Sequence, residues 1–131
     1  MQAVNAARAQ ARTCGTTEYA AAPALAWNDK LFSAAAGHSQ DMATNNYFSH
    51  TSLDGTTFGQ RISATGYGWY FVAENIAKGQ PTVAAVMDSW MKSAGHCANI
   101  MNKSVADVGV ACVKSSSSSG YYWTMNLGRP R

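Results

Sequence analysis

The sequence predicts an α+β domain in which an antiparallel hairpin lies between helices. Three observations carry this. Val83, Val86, Met87, Trp90 and Met91 fall at i, i+3, i+4, i+7 and i+8, and Leu31, Ala34, Ala35, His38 and Met42 make a second such stripe, so each segment is an amphipathic helix. Near the C-terminus, Val108 to Val113 carries no polar face, while Tyr121, Trp123, Met125 and Leu127 share one side of a following strand. A strand that is apolar on both faces needs cover on both faces, which puts the sheet between helices.

Composition sets the outer limits. The 131 residues make one domain over 1–131, long enough to bury a single core. With 47% hydrophobic and 13% charged residues the chain is globular and not disordered. No apolar run reaches the roughly 18 residues a membrane span needs, so no transmembrane segment is expected. The net charge is +3 and the ten Lys and Arg residues are scattered, which excludes a nucleic-acid groove. Three cysteines imply one disulfide and one leftover thiol, favouring an oxidising compartment. No signal peptide is visible before Gln2-Ala3-Val4-Asn5, and the expectation is a mature terminus with Met1 added for expression.

Taken in order, residues 2–12 read as an Ala-rich helix carrying Arg8 and Arg12, ended by Cys14-Gly15. A loop through Pro23 leads to a short extended piece, Leu25-Ala26-Trp27. Asn28 is placed to cap the next helix, with Asp29 in its first turn, and that helix runs to about Thr44. His38 shares its apolar face and reads as a buried, hydrogen-bonded structural histidine, with a supporting place beside a site as the alternative. Residues 45–69 are loop-like, with a turn at Asp54-Gly55 and one helical turn over Gln60 to Ala64. So long a loop in a compact domain is a place where function sits. Tyr70-Phe71-Val72 is a strand leading into Glu74, and Pro81 fits the first turn of the helix that carries Trp90. Trp69, Tyr70 and Phe71 read as core aromatics, with the rim of a lipid pocket as the other possibility. Ser115 to Ser119 with Gly120 is the hairpin loop and takes no chemistry.

The chemistry-bearing stretch is Ser93-Ala94-Gly95-His96-Cys97-Ala98-Asn99-Ile100. Gly95 is expected to stop the Trp90 helix. His96 would then sit past a helix C-terminus, where the macrodipole favours its cation. Phe48-Ser49-His50 and Ala73-Glu74-Asn75-Ile76 carry the same sort of chemistry, and the fold is expected to bring His50, Glu74 and His96 together. Two imidazoles and a carboxylate match an open zinc-type site with a position left for water. Their wide spacing, without a His-Glu-x-x-His helix, equally suits a cluster that only anchors loops. Ser93 or Ser49 beside a histidine raises a serine nucleophile, but no Gly-x-Ser-x-Gly turn supports it. Asp41 with His38 reads as a helix-surface pair and not as a dyad.

These segments, with Trp27-Asn28-Asp29-Lys30-Leu31, His38-Ser39-Gln40-Asp41-Met42-Ala43, Tyr47-Phe48-Ser49-His50, Asp54-Gly55, Gly66-Tyr67, Trp90-Met91-Lys92-Ser93 and Tyr122-Trp123-Thr124, resemble bacterial members of the CAP superfamily. That superfamily is named for cysteine-rich secretory proteins, antigen 5 and plant pathogenesis-related 1 proteins. The resemblance covers nearly the whole chain. It implies a three-layer α-β-α sandwich with a central, mainly antiparallel sheet, secretion or a periplasmic location, and a cleft lined by two His and two acids that holds a divalent metal. Carried over, the histidines are His50 and His96 and the first acid is Glu74, while Ser93 occupies the second acid position. The loss of that acid removes an anionic ligand and a candidate base. The resemblance also favours a Cys14–Cys97 disulfide with Cys112 buried and free; Cys97–Cys112 is the rival pairing.

The expected function is therefore binding: a divalent metal, zinc first, on His50, His96 and Glu74, with an extracellular lipid, sterol or cell-wall component in or beside the cleft, by a monomer. The rival is a metal-dependent hydrolase, peptidase or wall-directed, with His50, Glu74 and His96 as catalytic residues. A purely structural or adhesive module is the third class. One fold hosts several functions, so the family alone does not choose among them.

Overall fold

The structure is a computed structural model describing residues 1–116 and 120–131. In chain order its elements are α1 (Gln2–Arg8), the small hairpin β1 (Arg12–Cys14) and β2 (Thr17–Tyr19), β3 (Ala26–Trp27), α2 (Asp29–Asn45), α3 (Phe58–Ala64), β4 (Trp69–Lys78), α4 (Val83–Met91), α5 (Ala94–Met101), β5 (Asp107–Lys114) and β6 (Tyr121–Pro130). The main sheet has the order β3-β5-β6-β4; its pairs are antiparallel except β3 with β5. This leaves β4, the strand that carries Glu74, at the sheet's edge.

The alternation of β6 sorts the layers. Trp123, Met125 and Leu127 point to one face, where they pack with Val4 of α1, Val86, Met87 and Trp90 of α4 and Ile100 of α5. Tyr122 and Thr124 take the other face. There Tyr122 packs with Met42 and Ala43 of α2, and the Thr124 and Ser39 hydroxyls share a hydrogen bond at 2.6 Å. Helices thus cover both sides of the sheet, as the apolar hairpin required. Gly109 shows how closely α2 rests on β5: a Cβ there would fall 2.1 Å from the Phe32 backbone nitrogen. The family's α-β-α layering is present, with a mainly antiparallel centre.

Local chemistry explains where α2 begins and ends. Asn28 caps it, its side-chain oxygen accepting from the Lys30 and Leu31 N–H groups at 2.9 and 3.2 Å. Asn46, left-handed at φ 55°, closes its C-terminus. The helical turn expected over Gln60 to Ala64 begins earlier, because Thr57 and Gln60 form a reciprocal capping box that nucleates α3 from Phe58.

Several expectations need correction. The first helix stops at Arg8 and not near residue 12. Arg8 is buried, and its guanidinium donates to the carbonyls of Pro23, Ile100 and Asn102, each at 2.8 Å. The chain then turns back through β1 and β2, with Gly15 left-handed at φ 63°. Pro81 lies outside α4, whose cap is Thr82 accepting from the Ala85 N–H at 3.1 Å. Gly95 does not stop that helix either: α4 ends at Met91, Ser93 is the N-cap of a new helix, and Gly95 lies inside its first turn. The cysteine pairing is Cys14–Cys97, with Cα atoms 5.5 Å apart, which rules out the Cys97–Cys112 rival. Cys112 is free, as expected, but exposed and not buried. Tyr70 and Phe71 are exposed on the edge strand, at 74% and 39%, and are not core. The hairpin loop closes with the Ser115 N–H donating to Gly120 O at 2.7 Å; Ser117 to Ser119 lie outside the described residues.

Candidate functional site

Glu74 sits mid-strand in β4, on the face it shares with Val72 and Ile76, toward α2 and α3. Its side chain has no solvent exposure, and both oxygens are engaged. Oε1 takes His50 Nδ1 at 2.9 Å, and Oε2 takes Arg61 Nη2 at 2.8 Å. Asn126, its cross-strand partner on β6, donates to Oε2 at 3.0 Å when its amide is turned so that the oxygen accepts from the Ala35 N–H. A buried carboxylate needs such partners to stay charged.

Arg61 does more than neutralise Glu74. It donates to Ser52 Oγ at 3.0 Å and to Thr56 O at 3.3 Å, so α3 fastens the turn that follows His50. The residue before His50 is held from the other direction, because His38 Nε2 donates to Ser49 O at 2.7 Å. Both readings of His38 therefore meet in one residue: it is buried and hydrogen-bonded, and it supports the His50 loop. Burial lowers its pKa first, and the Arg61 charge lowers it further, which keeps the ring neutral.

His96 arrives from the opposite layer. The α5 helix is stitched to β4 through asparagines: Asn75 Nδ2 donates to His96 O at 3.1 Å, and Asn99 Nδ2 donates to Asn75 Oδ1 at 2.9 Å. His96 Nδ1 lies 2.8 Å from Ser93 Oγ, a cap residue whose hydroxyl makes no cap bond. The His96 pKa is lowered by burial and then by the charge of His50. This reverses the expectation of a stabilised cation past a helix C-terminus. His96 is in the first turn of α5, where the dipole also opposes positive charge.

The structure thus brings His50 and Glu74 into direct contact and sets His96 within electrostatic reach. Each imidazole is fixed through Nδ1, and no described residue hydrogen-bonds either Nε2. Among the described residues no group of three or more His, Cys, Asp or Glu side chains is placed to hold a metal ion. The Ser93–His96 pair gains no orienting carboxylate, since Glu74 bonds His50 instead. Ser49 spends its hydroxyl on the Thr51 N–H. Asp41 binds the Tyr47 hydroxyl and the Asn45 amide, and no bond joins it to His38. Sequence reasoning missed Arg61, which stands in a segment with no distinguishing pattern. It also gave no role to Asn75, Asn99 and Asn126, although the first two lie in segments already quoted for the resemblance.

Fold and cleft together define a CAP-type sandwich. The chain belongs to the cysteine-rich secretory protein family, whose CAP model matches residues 1–127. It is 39% identical over 103 residues to the Bacillus subtilis protein described as "Uncharacterized protein YkwD", covering 76% of this chain and 37% of that protein. A solved extracellular protein containing a SCP domain, from Bacillus anthracis, is similar at 34% identity and TM-score 0.73, over 82% of this chain and 34% of that one. An outer surface protein of Borrelia burgdorferi shares the fold at TM-score 0.77 and 23% identity, over 84% and 80% of the two chains. The chain spans 28–37% of the length of the Bacillus proteins it matches. No helix among its described residues is long and apolar enough to cross a membrane.

Proposed function

We propose that this chain is a secreted binding module whose cleft takes a divalent metal through Nε2 of His50 and Nε2 of His96, with an extracellular ligand in or beside that cleft. The observation that carries the reading is the fixing of each ring by its Nδ1, on Glu74 and on Ser93, at 2.9 and 2.8 Å. An imidazole that ligates a metal through one nitrogen commonly donates through the other to a carboxylate, a carbonyl or water, and the Ser93 oxygen stands where such an acceptor would for His96. Glu74 enters here as the group orienting His50. Its own oxygens are taken by His50, Arg61 and Asn126, and its side chain is wholly buried, so it does not serve as a third ligand without breaking an ion pair. The same saturation weighs against the hydrolase alternative, which needs Glu74 as ligand or base. Secretion is supported by the disulfide and by relatives described as extracellular and outer-surface proteins.

The test is calorimetric titration of zinc, a divalent ion suited to imidazole ligands, into the wild type and into the His50→Ala/His96→Ala double variant. Binding in the wild type that is lost in the double variant is expected. Indistinguishable titrations would remove the metal from the proposal.

A further inference from the structure

We propose that Asn75 is the positioning residue that sets where His96 stands relative to His50, so that two neighbouring residues of β4 hold the two halves of the proposed metal site. Successive side chains of a strand point to opposite faces of its sheet. Glu74 reaches toward α2 and α3, where its Oε1 takes His50 Nδ1 at 2.9 Å. Asn75 shares the other face with Ala73 and Ala77, which pack with Val86 and Trp90 of α4 and Ile100 of α5. There its Nδ2 donates to the His96 carbonyl at 3.1 Å. Both residues lie in register with β6, Glu74 opposite Asn126 and Asn75 opposite Met125, so the two anchors are consecutive positions on one paired strand.

Asn75 has no solvent exposure, and a buried amide costs free energy unless its polar atoms are engaged. Its oxygen accepts from Asn99 Nδ2 at 2.9 Å, and the same Asn99 amide reaches Glu74 O at 3.4 Å. Both amide orientations follow from the partners, since the carbonyls of His96 and Glu74 can only accept. Among the described residues, every hydrogen bond between α5 and β4 runs through Asn75 or Asn99. The other polar and covalent ties of His96 and Cys97 act elsewhere. Ser93 Oγ meets His96 Nδ1 at 2.8 Å from the cap of the same helix, so it orients the ring on α5 and moves with it. Cys97 joins α5 to Cys14 of β1, away from β4. Asn75, backed by Asn99, is what registers the His96 backbone against the strand that holds Glu74. Apolar packing tolerates small slides, whereas a directional bond in a satisfied buried network does not. This deepens the metal part of the proposed function and rests on it for the zinc readout below; the metal-free readout does not need it.

The test is imidazole NMR of the full chain, with the disulfide oxidised, before and during titration with zinc. Leucine is close to asparagine in size and removes both polar contacts. Without metal, Asn75→Leu is expected to move the His96 ring signals and to leave those of His50, which Glu74 holds, in place. With zinc, its affinity is expected to fall about tenfold or more, the loss seen when a group supporting a metal ligand is removed. Asn99→Ala keeps the bond from Asn75 to His96 and is expected to move the same signals less. Val86→Ala, a buried change in α4, lowers stability without removing any of these bonds, and is expected to leave both rings and the zinc affinity as in the wild type. The proposal is overturned by an Asn75→Leu chain with wild-type His96 signals, by one that binds zinc within about twofold of a zinc-binding wild type, or by a Val86→Ala chain that reproduces the loss. If Asn75→Leu does not fold, Asn99→Ala decides: movement confined to His96 supports the proposal, and unmoved signals overturn it. A wild type that takes no zinc sinks only the metal reading, and the metal-free His96 signals still decide the role of Asn75.

Discussion

Glu74→Gln isolates the ion pair on which the cleft is built. The side chain it replaces is wholly buried and Arg61 is 12% exposed, so the change leaves a guanidinium in the interior without its counter-charge. Removing one partner of a buried pair costs about 3–5 kcal/mol, because the survivor's desolvation is no longer offset. The His50 contact adds little to this figure, since its ring is 47% exposed and water screens it. Against a domain stability of about 5–15 kcal/mol the loss is large. With a urea slope of about 2 kcal/mol/M, the midpoint should fall by about 2 M. Glu74→Gln/Arg61→Met should recover much of that, since no charge is then stranded. Recovery will be incomplete because Arg61 also holds Ser52 and Thr56. Equilibrium urea unfolding of the wild type, Glu74→Gln, Arg61→Met and the double variant, with the disulfide kept oxidised, gives the coupling energy directly. A single variant within about 0.5 kcal/mol of wild type, the range of an ordinary surface substitution, would refute the buried-pair argument.

The disulfide and the supporting histidine give two more expectations. Cys14 and Cys97 are 83 residues apart, and closing such a loop in the unfolded chain is worth about 4.5 kcal/mol by loop entropy. Cys14→Ser/Cys97→Ser should therefore lower the melting temperature by about 15 °C, and Cys112→Ser should leave it unchanged; a scanning melt showing equal effects would contradict the pairing. His38 has its pKa lowered from 6.5 in the folded chain, so the unfolded chain takes up the proton first. Its contribution is nil above the ordinary histidine value. As the pH falls through 6.5 it becomes a loss of stability, and it levels off below the folded pKa. The wild type should lose stability over that window more steeply than His38→Asn, as measured by denaturant midpoints across pH 5 to 8 buffers; parallel curves would contradict a ring held neutral by burial.

What the sequence made legible was whatever repeats with a period or caps an end. The two apolar stripes, the Asn28 cap and the two-faced hairpin all report the local backbone, and a local signal suffices for them. What it hid were boundaries settled by distant partners. Arg8 looks like an ordinary helix residue until the carbonyls of Ile100 and Asn102 are brought to it. Gly95 has the spacing of a helix stop, but Ser93 opens a fresh helix two residues earlier and the glycine is carried into its first turn. The His50–Glu74 contact was within reach of motif reasoning. Arg61 was not, because its role exists only once α3 is laid against β4.

Arg61 also decides what kind of site this is. In a cleft with two acids and two imidazoles, the carboxylates supply negative charge that draws a divalent ion. Here the second acid position holds Ser93, which offers His96 a neutral oxygen at 2.8 Å. The remaining acid is neutralised by a guanidinium at 2.8 Å. The cleft therefore presents two imidazoles with almost no net charge behind them, and burial first, then the charge of His50, favours the neutral form of His96 that a metal requires. Two neutral nitrogen ligands hold zinc less firmly than the three or four protein ligands of catalytic and structural centres. A metal held as proposed would exchange readily and would leave room for an incoming ligand, which suits reversible capture better than sustained hydrolysis.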